Sequence, residues 1–167
     1  MKSSSSIWIA IAFTGFFSCS NSQPAQTVTS NLMTETTSDW VVLDKGTQCF
    51  ILTPKQVLAK SQAEFDKMWR EAFEGMDMPP AKPSVDFSTN WVIAVFLGEK
   101  NKGGFDLDVQ AITEASGKTT VTVKATKPGP NCMSTMSIEY PYLLASMPRK
   151  SSDKVDFAFV EETKDCN

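Results

Sequence analysis

No histidine occurs among the 167 residues of the chain, and that absence bounds its chemistry. Without imidazole there is no Ser-His-Asp triad, no Cys-His dyad and no His-ligated metal, so the commonest routes to neutral-pH hydrolysis and to zinc or haem sites are closed. Catalysis would have to run through carboxylates, lysine or an unassisted thiol. A dense basic stripe is missing as well: 16 Lys and Arg stand against 19 Asp and Glu, a formal charge of −3. Nucleic-acid binding needs clustered cations, so it is not expected. No run reaches the roughly 18 apolar residues from which a spanning helix is read. There is no internal repeat and no metal-ligand cluster, and Gly103-Gly104 is a lone pair without the strand-to-helix context of a phosphate loop. No metal and no small-molecule cofactor is expected.

What is present is enough for one buried core. Apolar residues make up 41% of the chain, with 11 Phe and four Trp, and one domain is the expectation at this length. The first residues stand apart from that core. Lys2 precedes the largely apolar run Ile7 to Phe17, about the length of a secretory h-region, and Ser18-Cys19 ends it. A small residue directly before a cysteine at the end of such a run resembles a bacterial lipobox. That resemblance implies a lipoprotein signal peptide over residues 1–18 and Cys19 as the lipid-bearing first residue of the mature chain. Phe16 and Phe17 depart from the usual pattern. Residues 19–39, polar and rich in Ser and Thr without period, read as a flexible tether, and 40–167 as the folded domain. Ser20 after Cys19 favours the outer membrane by resemblance to sorting signals in diderm bacteria, with the leaflet unread.

Lipidation at Cys19 leaves Cys49, Cys132 and Cys166 in an oxidising setting, which allows one disulfide and one spare thiol. All three pairings stay open. The lean is to Cys132 with Cys166, because both sit in loop-like contexts, whereas Cys49 heads an apolar stretch and reads as a buried thiol.

The clearest local signal is Ser61-Gln62-Ala63-Glu64, a capping-box pattern ahead of Phe65, Met68, Trp69, Ala72 and Phe73 at helical spacing. It predicts one amphipathic helix over about 62–74 that buries its stripe against a sheet. Trp91 to Leu97 is continuously apolar and β-branched, as a strand covered on both faces would be. Phe105, Leu107 and Val109 alternate with Asp106, Asp108 and Gln110, and Val121, Val123 and Ala125 alternate beyond the Ser116-Gly117 turn. Further strands are expected around Phe50–Leu52 and Val57–Leu58, at Met133–Ile138, at Tyr142–Met147 and at Val155–Val160. The fold class is therefore α+β and mostly β: an antiparallel sheet or sandwich of six to eight short strands, paired consecutively, with one helix packed on it.

The order of short motifs is more specific than any one of them. Glu64 to Trp69 closes the capped helix start; Val85-Asp86-Phe87-Ser88 precedes the buried strand; Gly98 and Lys102-Gly103-Gly104-Phe105 follow it; Pro128-Gly129-Pro130 breaks the chain; Pro141-Tyr142 leads to Met147-Pro148. From about Phe50 to Phe159 this series resembles the PrcB C-terminal domain family. Asn101-Lys102 stands where such domains often carry Pro-Thr. The resemblance implies a non-enzymatic accessory: the family's namesake is a lipoprotein subunit that associates with, and helps stabilise, a surface subtilisin-like protease.

Two kinds of reading follow for the residues themselves. Gly103 and Gly104 are expected to supply positive φ in a hairpin turn, Phe105 to enter the core and Pro141 to fix the start of a strand. Alternatively Lys102, Gly103, Gly104, Phe105, Asn131 and Tyr142 contribute to a partner surface at one end of the sheet. The expected function is a lipid-anchored, non-catalytic envelope protein bound to an exported protease or another envelope protein. One alternative is a protease inhibitor that inserts the Gly103-Gly104 loop into an active-site cleft. The other is a hydrolase built on Asp106 and Asp108, which alternation places on one wet strand face. Calcium binding by those aspartates is weakly supported for want of further oxygen ligands. Mass spectrometry of the membrane fraction is expected to find a diacyl or triacyl adduct on Cys19; an unmodified Cys19, or cleavage at another position, would rule out the lipobox.

Overall fold

Two strands organise everything else. β3 (Asn90–Phe96) and β6 (Tyr142–Pro148) pair antiparallel, Trp91 opposite Met147 and Phe96 opposite Tyr142, and Trp91–Phe96 and Tyr142–Ala145 are buried without interruption. The computed structural model describes residues 39–166, all within one unit spanning Glu35–Asn167. β1 (Val41–Gly46) pairs with the outer side of β6, and β2 (Lys55–Ala59) with the outer side of β3, giving a four-stranded sheet in the order β1-β6-β3-β2. A strand whose successive side chains all lack water needs cover on both faces. Helix α1 (Gln62–Phe73) supplies one cover and a second sheet the other.

The pleat sorts the residues cleanly. Val92, Ala94 and Phe96 of β3 and Leu144 of β6 point to the helix, where they meet Phe65, Met68, Trp69, Ala72 and Phe73. Trp91, Ile93 and Val95, with Leu143, Ala145 and Met147, point the other way and meet Leu107, Val109, Val121 and Val123. Aromatic rings link helix to sheet: Phe65 to Trp69 at 5.8 Å, Trp69 to Phe73 at 4.6 Å and Phe73 to Tyr142 at 4.9 Å between centroids. At the helix start Ser61 Oγ accepts from the Glu64 N–H at 3.3 Å. The Glu64 carboxylate reaches back to the N–H of Lys60, at 2.7 Å, one residue earlier than a capping box requires.

The second sheet departs from consecutive antiparallel pairing. β4 (Asp106–Ala115) and β5 (Lys118–Pro128) form a hairpin about Ser116 and Gly117, at φ 52° and 71°, the twist-matched turn for a two-residue loop. β7 (Val155–Lys164) lies parallel to β5, in the order β4-β5-β7. Between β5 and β7 the chain crosses to the first sheet to form β6. The expectation of pairing in sequence order fails because β3 and β6 cannot be buried twice unless later strands build a separate layer.

Other elements also differ. β1, whose residues are mostly exposed or half-buried, lacked a periodic signal. Phe50–Leu52 is not a strand: Ile51 is buried against the helix, and the Phe50 N–H donates to Ala72 O at 2.8 Å. Met133–Ile138 forms no strand either. Asp86-Phe87 has a clear local purpose. The Asp86 carboxylate accepts from Ser88 Oγ at 2.6 Å, Ser88 N at 2.9 Å and Thr89 Oγ1 at 3.2 Å, closing a turn that aims the chain into β3, while Phe87 packs 5.8 Å from Phe65.

Truncating Phe65, which is fully buried, is expected to cost about 3–5 kcal/mol in urea unfolding of Phe65→Ala; a loss under 1 kcal/mol would mean the helix layer is not integral. The Ser88 hydroxyl and N–H hold Asp86 below the ordinary carboxylate range. Its contribution to stability is therefore present above the unfolded value of about 3.9 and lost as pH falls through the lower folded value. Urea midpoints of native and Asp86→Asn protein should converge between pH 5 and pH 2; parallel curves would show that the turn carries no such linkage.

Candidate functional site

Strand register gathers the loops. Gly46 and Phe96 both face Tyr142, and Lys55 faces Phe96, so the segments 47–54, 97–105 and 129–141 leave the first sheet at the same end. Backbone hydrogen bonds knit them together: Glu99 N–H to Leu52 O at 3.0 Å, Tyr140 N–H to Thr47 O at 2.8 Å, Gly103 N–H to Thr135 O at 2.9 Å, and a reciprocal pair between Lys100 and Glu139. β5 and β7 end there too, where Cys132 and Cys166 form a disulfide with Cα atoms 4.9 Å apart and Gly129 N–H donates to Lys164 O at 2.9 Å. Among the described residues Cys49 is the free thiol, buried, with burial pushing its pKa up, so it is poorly suited to react.

This end carries apolar side chains in water. Met133 and Met136 are fully exposed, and Phe50, Leu52 and Ile138 are 51%, 58% and 54% exposed. Sequence reading missed these five. Met133 to Ile138 read as a resumed strand because apolar residues recur among Ser and Thr after the Pro-Gly-Pro break, but the disulfide and the bonds to the 97–105 loop hold it outside both sheets. Two methionines in a Ser/Thr-rich stretch were the available signal, since exposed Met is a common feature of adaptable binding surfaces.

The residues expected at the surface divide. Asn131 is exposed on the 129–141 loop, and Lys102 is half-buried on the 97–105 loop. Gly103 is buried under the 129–141 loop; a Cβ there would crowd Thr135 Oγ1 and Glu139 Oε1, so a side chain would have to displace both. Gly104 has φ +95° and supplies the turn. The pair does not close a hairpin, because β3 and β4 belong to different sheets, and with Gly103 covered it does not project as a loop to insert into another protein's cleft. Tyr142 is 5% exposed, with its hydroxyl donating to Asp44 Oδ2 at 3.0 Å; burial, aided by that carboxylate, raises its pKa. It is a core residue and not a contact residue. Pro141 is buried at the start of β6. Cys19 lies outside the described residues.

Phe105 is half-buried and not in the core. It lines a cleft of about 380 Å³ between the β2 and β7 edges and a smaller one of about 170 Å³ between β1 and β4. Asp106 and Asp108 do share a wet face, but Lys45 of β1 spans both, at 3.0 and 3.3 Å. Burial pulls the Lys45 ammonium down, and the two aspartates together outweigh it to raise its pKa. The two carboxylates thus share one ammonium, and among the described residues no group of three metal-ligating side chains comes together.

No curated protein and no solved structure matches the chain. A family model described as PrcB C-terminal matches residues 91–148, from the start of β3 through β6, a shorter stretch than the one over which the motifs resemble that family. It takes in the two-faced strands, the glycine pair with its buried Gly103 and the disulfide-tied loop, and leaves out β1, β2, the helix and β7. The family that the motif order resembles is thus the family the chain matches, from β3 to β6: PrcB C-terminal.

Proposed function

We propose that the protein is a lipid-anchored, non-catalytic accessory subunit of the cell envelope that holds an exported, subtilisin-like protease through its three-loop end. The observation that carries this reading is the concentration of Phe50, Leu52, Met133, Met136 and Ile138 in water on loops tied to one another and to a rigid sandwich. Exposed apolar clusters on such scaffolds mark partner surfaces. The PrcB C-terminal match supports an accessory role of the kind the family resemblance implies. Direction supports it too: β1 begins opposite Ser146 and ends opposite Tyr142, so a lipid at Cys19 would attach by way of the end remote from the loops. Among the described residues no helix is long and apolar enough to cross a membrane, and the anchor would be the lipid alone. Outer-membrane residence follows from Ser20 on this reading.

Envelope extract passed over the immobilised protein should yield an exported protease. The double variant Met133→Ser/Met136→Ser, which alters fully exposed side chains and should leave the unfolding midpoint unchanged, should lose about tenfold or more in affinity, since a few apolar residues dominate such contacts. Undiminished capture by the variant, or capture of no protease by the native chain, would overturn the reading. Protease activity unaffected by the bound subunit separates an accessory from an inhibitor.

A further inference from the structure

The cleft between the β2 and β7 edges has features the loop-end reading does not use. Its wall is apolar, formed by Leu97, Phe105, Ala125 and Phe159, and its volume of about 380 Å³ lies within the range of sites that hold a small ligand or a few side chains. Three charged residues reach it. Lys127 and Glu161 satisfy each other at 3.1 Å. Lys100 has no carboxylate partner among the described residues: its ammonium donates to Leu97 O at 2.7 Å and Glu99 O at 3.4 Å and lies 5.8 Å from the Phe105 ring. Two carbonyls occupy two of its three donors and cancel none of its charge. The cleft therefore carries one uncompensated positive charge at the loop end of an apolar wall.

Beside it runs an open sheet edge. β7 is ten residues long, pairs among the described residues with β5 on one side only, has no register shift in that pairing, and leaves Ala158, Phe159 and Val160 exposed. An acyl chain could use the apolar wall and the cation but not the unpaired N–H and C=O groups of the edge. An extended peptide uses all three. We propose that this cleft binds the free C-terminus of a partner polypeptide, added as a strand to β7, with its terminal carboxylate on Lys100 and its last apolar side chain against Phe105 and Phe159. Because Lys100 lies at the end where β7 finishes, the added strand runs parallel to β7, as β7 does to β5.

The full chain is titrated into an N-terminally labelled heptapeptide of alternating threonine and valine ending in leucine, read by fluorescence anisotropy. Saturable binding of the free acid is expected, weakened about tenfold by C-terminal amidation and equally by Lys100→Met, as loss of a charge-assisted hydrogen bond predicts. Lys124→Met, on the outer face where Lys124 meets Glu162, should bind as the native chain does. Amide exchange at Phe159–Glu161 should slow when peptide is bound. Equal affinity for acid and amide, unchanged exchange along β7, or binding of decanoate but not of the peptide would each overturn the proposal. The amidation arm uses unaltered protein, so it stands whether or not Lys100→Met folds, and none of these readouts depends on the protease partner.

Discussion

The structure depends on one constraint: β3 and β6 bury consecutive residues and so must be covered twice. Each large apolar side chain withdrawn from water contributes about 1.5–3 kcal/mol, and Trp91, Ile93 and Val95 face away from the helix that covers Val92, Ala94 and Phe96. A single helix-on-sheet layer would leave half of that set wet. The second sheet exists to close the other face, and its hairpin and parallel β7 are the means of building it from the chain that remains.

That double cover also decides where contact chemistry can sit. With both faces of the first sheet sealed, the molecule offers its ends and its edges. Antiparallel pairing brings three loops to one end, and the Cys132–Cys166 disulfide fixes the longest of them to the end of β7. Loops so braced present side chains at little further entropic cost on binding. Apolar residues exposed there would meet a partner without first having to be ordered.

Much of this was legible in the residues, and the failures have physical causes. The helix and β3 could be read because their signals are local: a cap followed by a 3.6-residue stripe, and a run with no polar break. The Cys132 to Cys166 lean followed from local context as well. Strand partners could not be read, since β5 beside β7 depends on the non-local demand for a second layer, and period-2 alternation looks the same in either sheet. Met133 to Ile138 shows the reverse error: apolar residues among Ser and Thr suggest a strand, but the hydrogen bonds to the 97–105 loop and the disulfide beside it fix it as a loop. Tyr142, singled out after Pro141, is buried because a strand position flanked by Phe73 and Phe96 takes its ring whatever its hydroxyl could offer a partner. Cys19 and the tether up to residue 38 lie outside the described residues.

The charged residues show why the two lateral edges of the sandwich differ. At the β1/β4 edge Lys45 bridges the sheets through Asp106 and Asp108. At the β2/β7 edge the corresponding bridge, Lys60 to Asp153 at 3.0 Å, lies just after β2 and just before β7, at the end remote from the loops, where Lys60 also covers the Trp91 ring. Exposed ion pairs contribute little to stability, so their position matters more than their number. One edge is bridged near the loops; the other is bridged at the far end, and its cleft lies toward them. Phe105 and Phe159 stand there partly in water and Lys100 has no carboxylate partner among the described residues, which is the asymmetry a ligand that is apolar along its length and negative at its tip would complete.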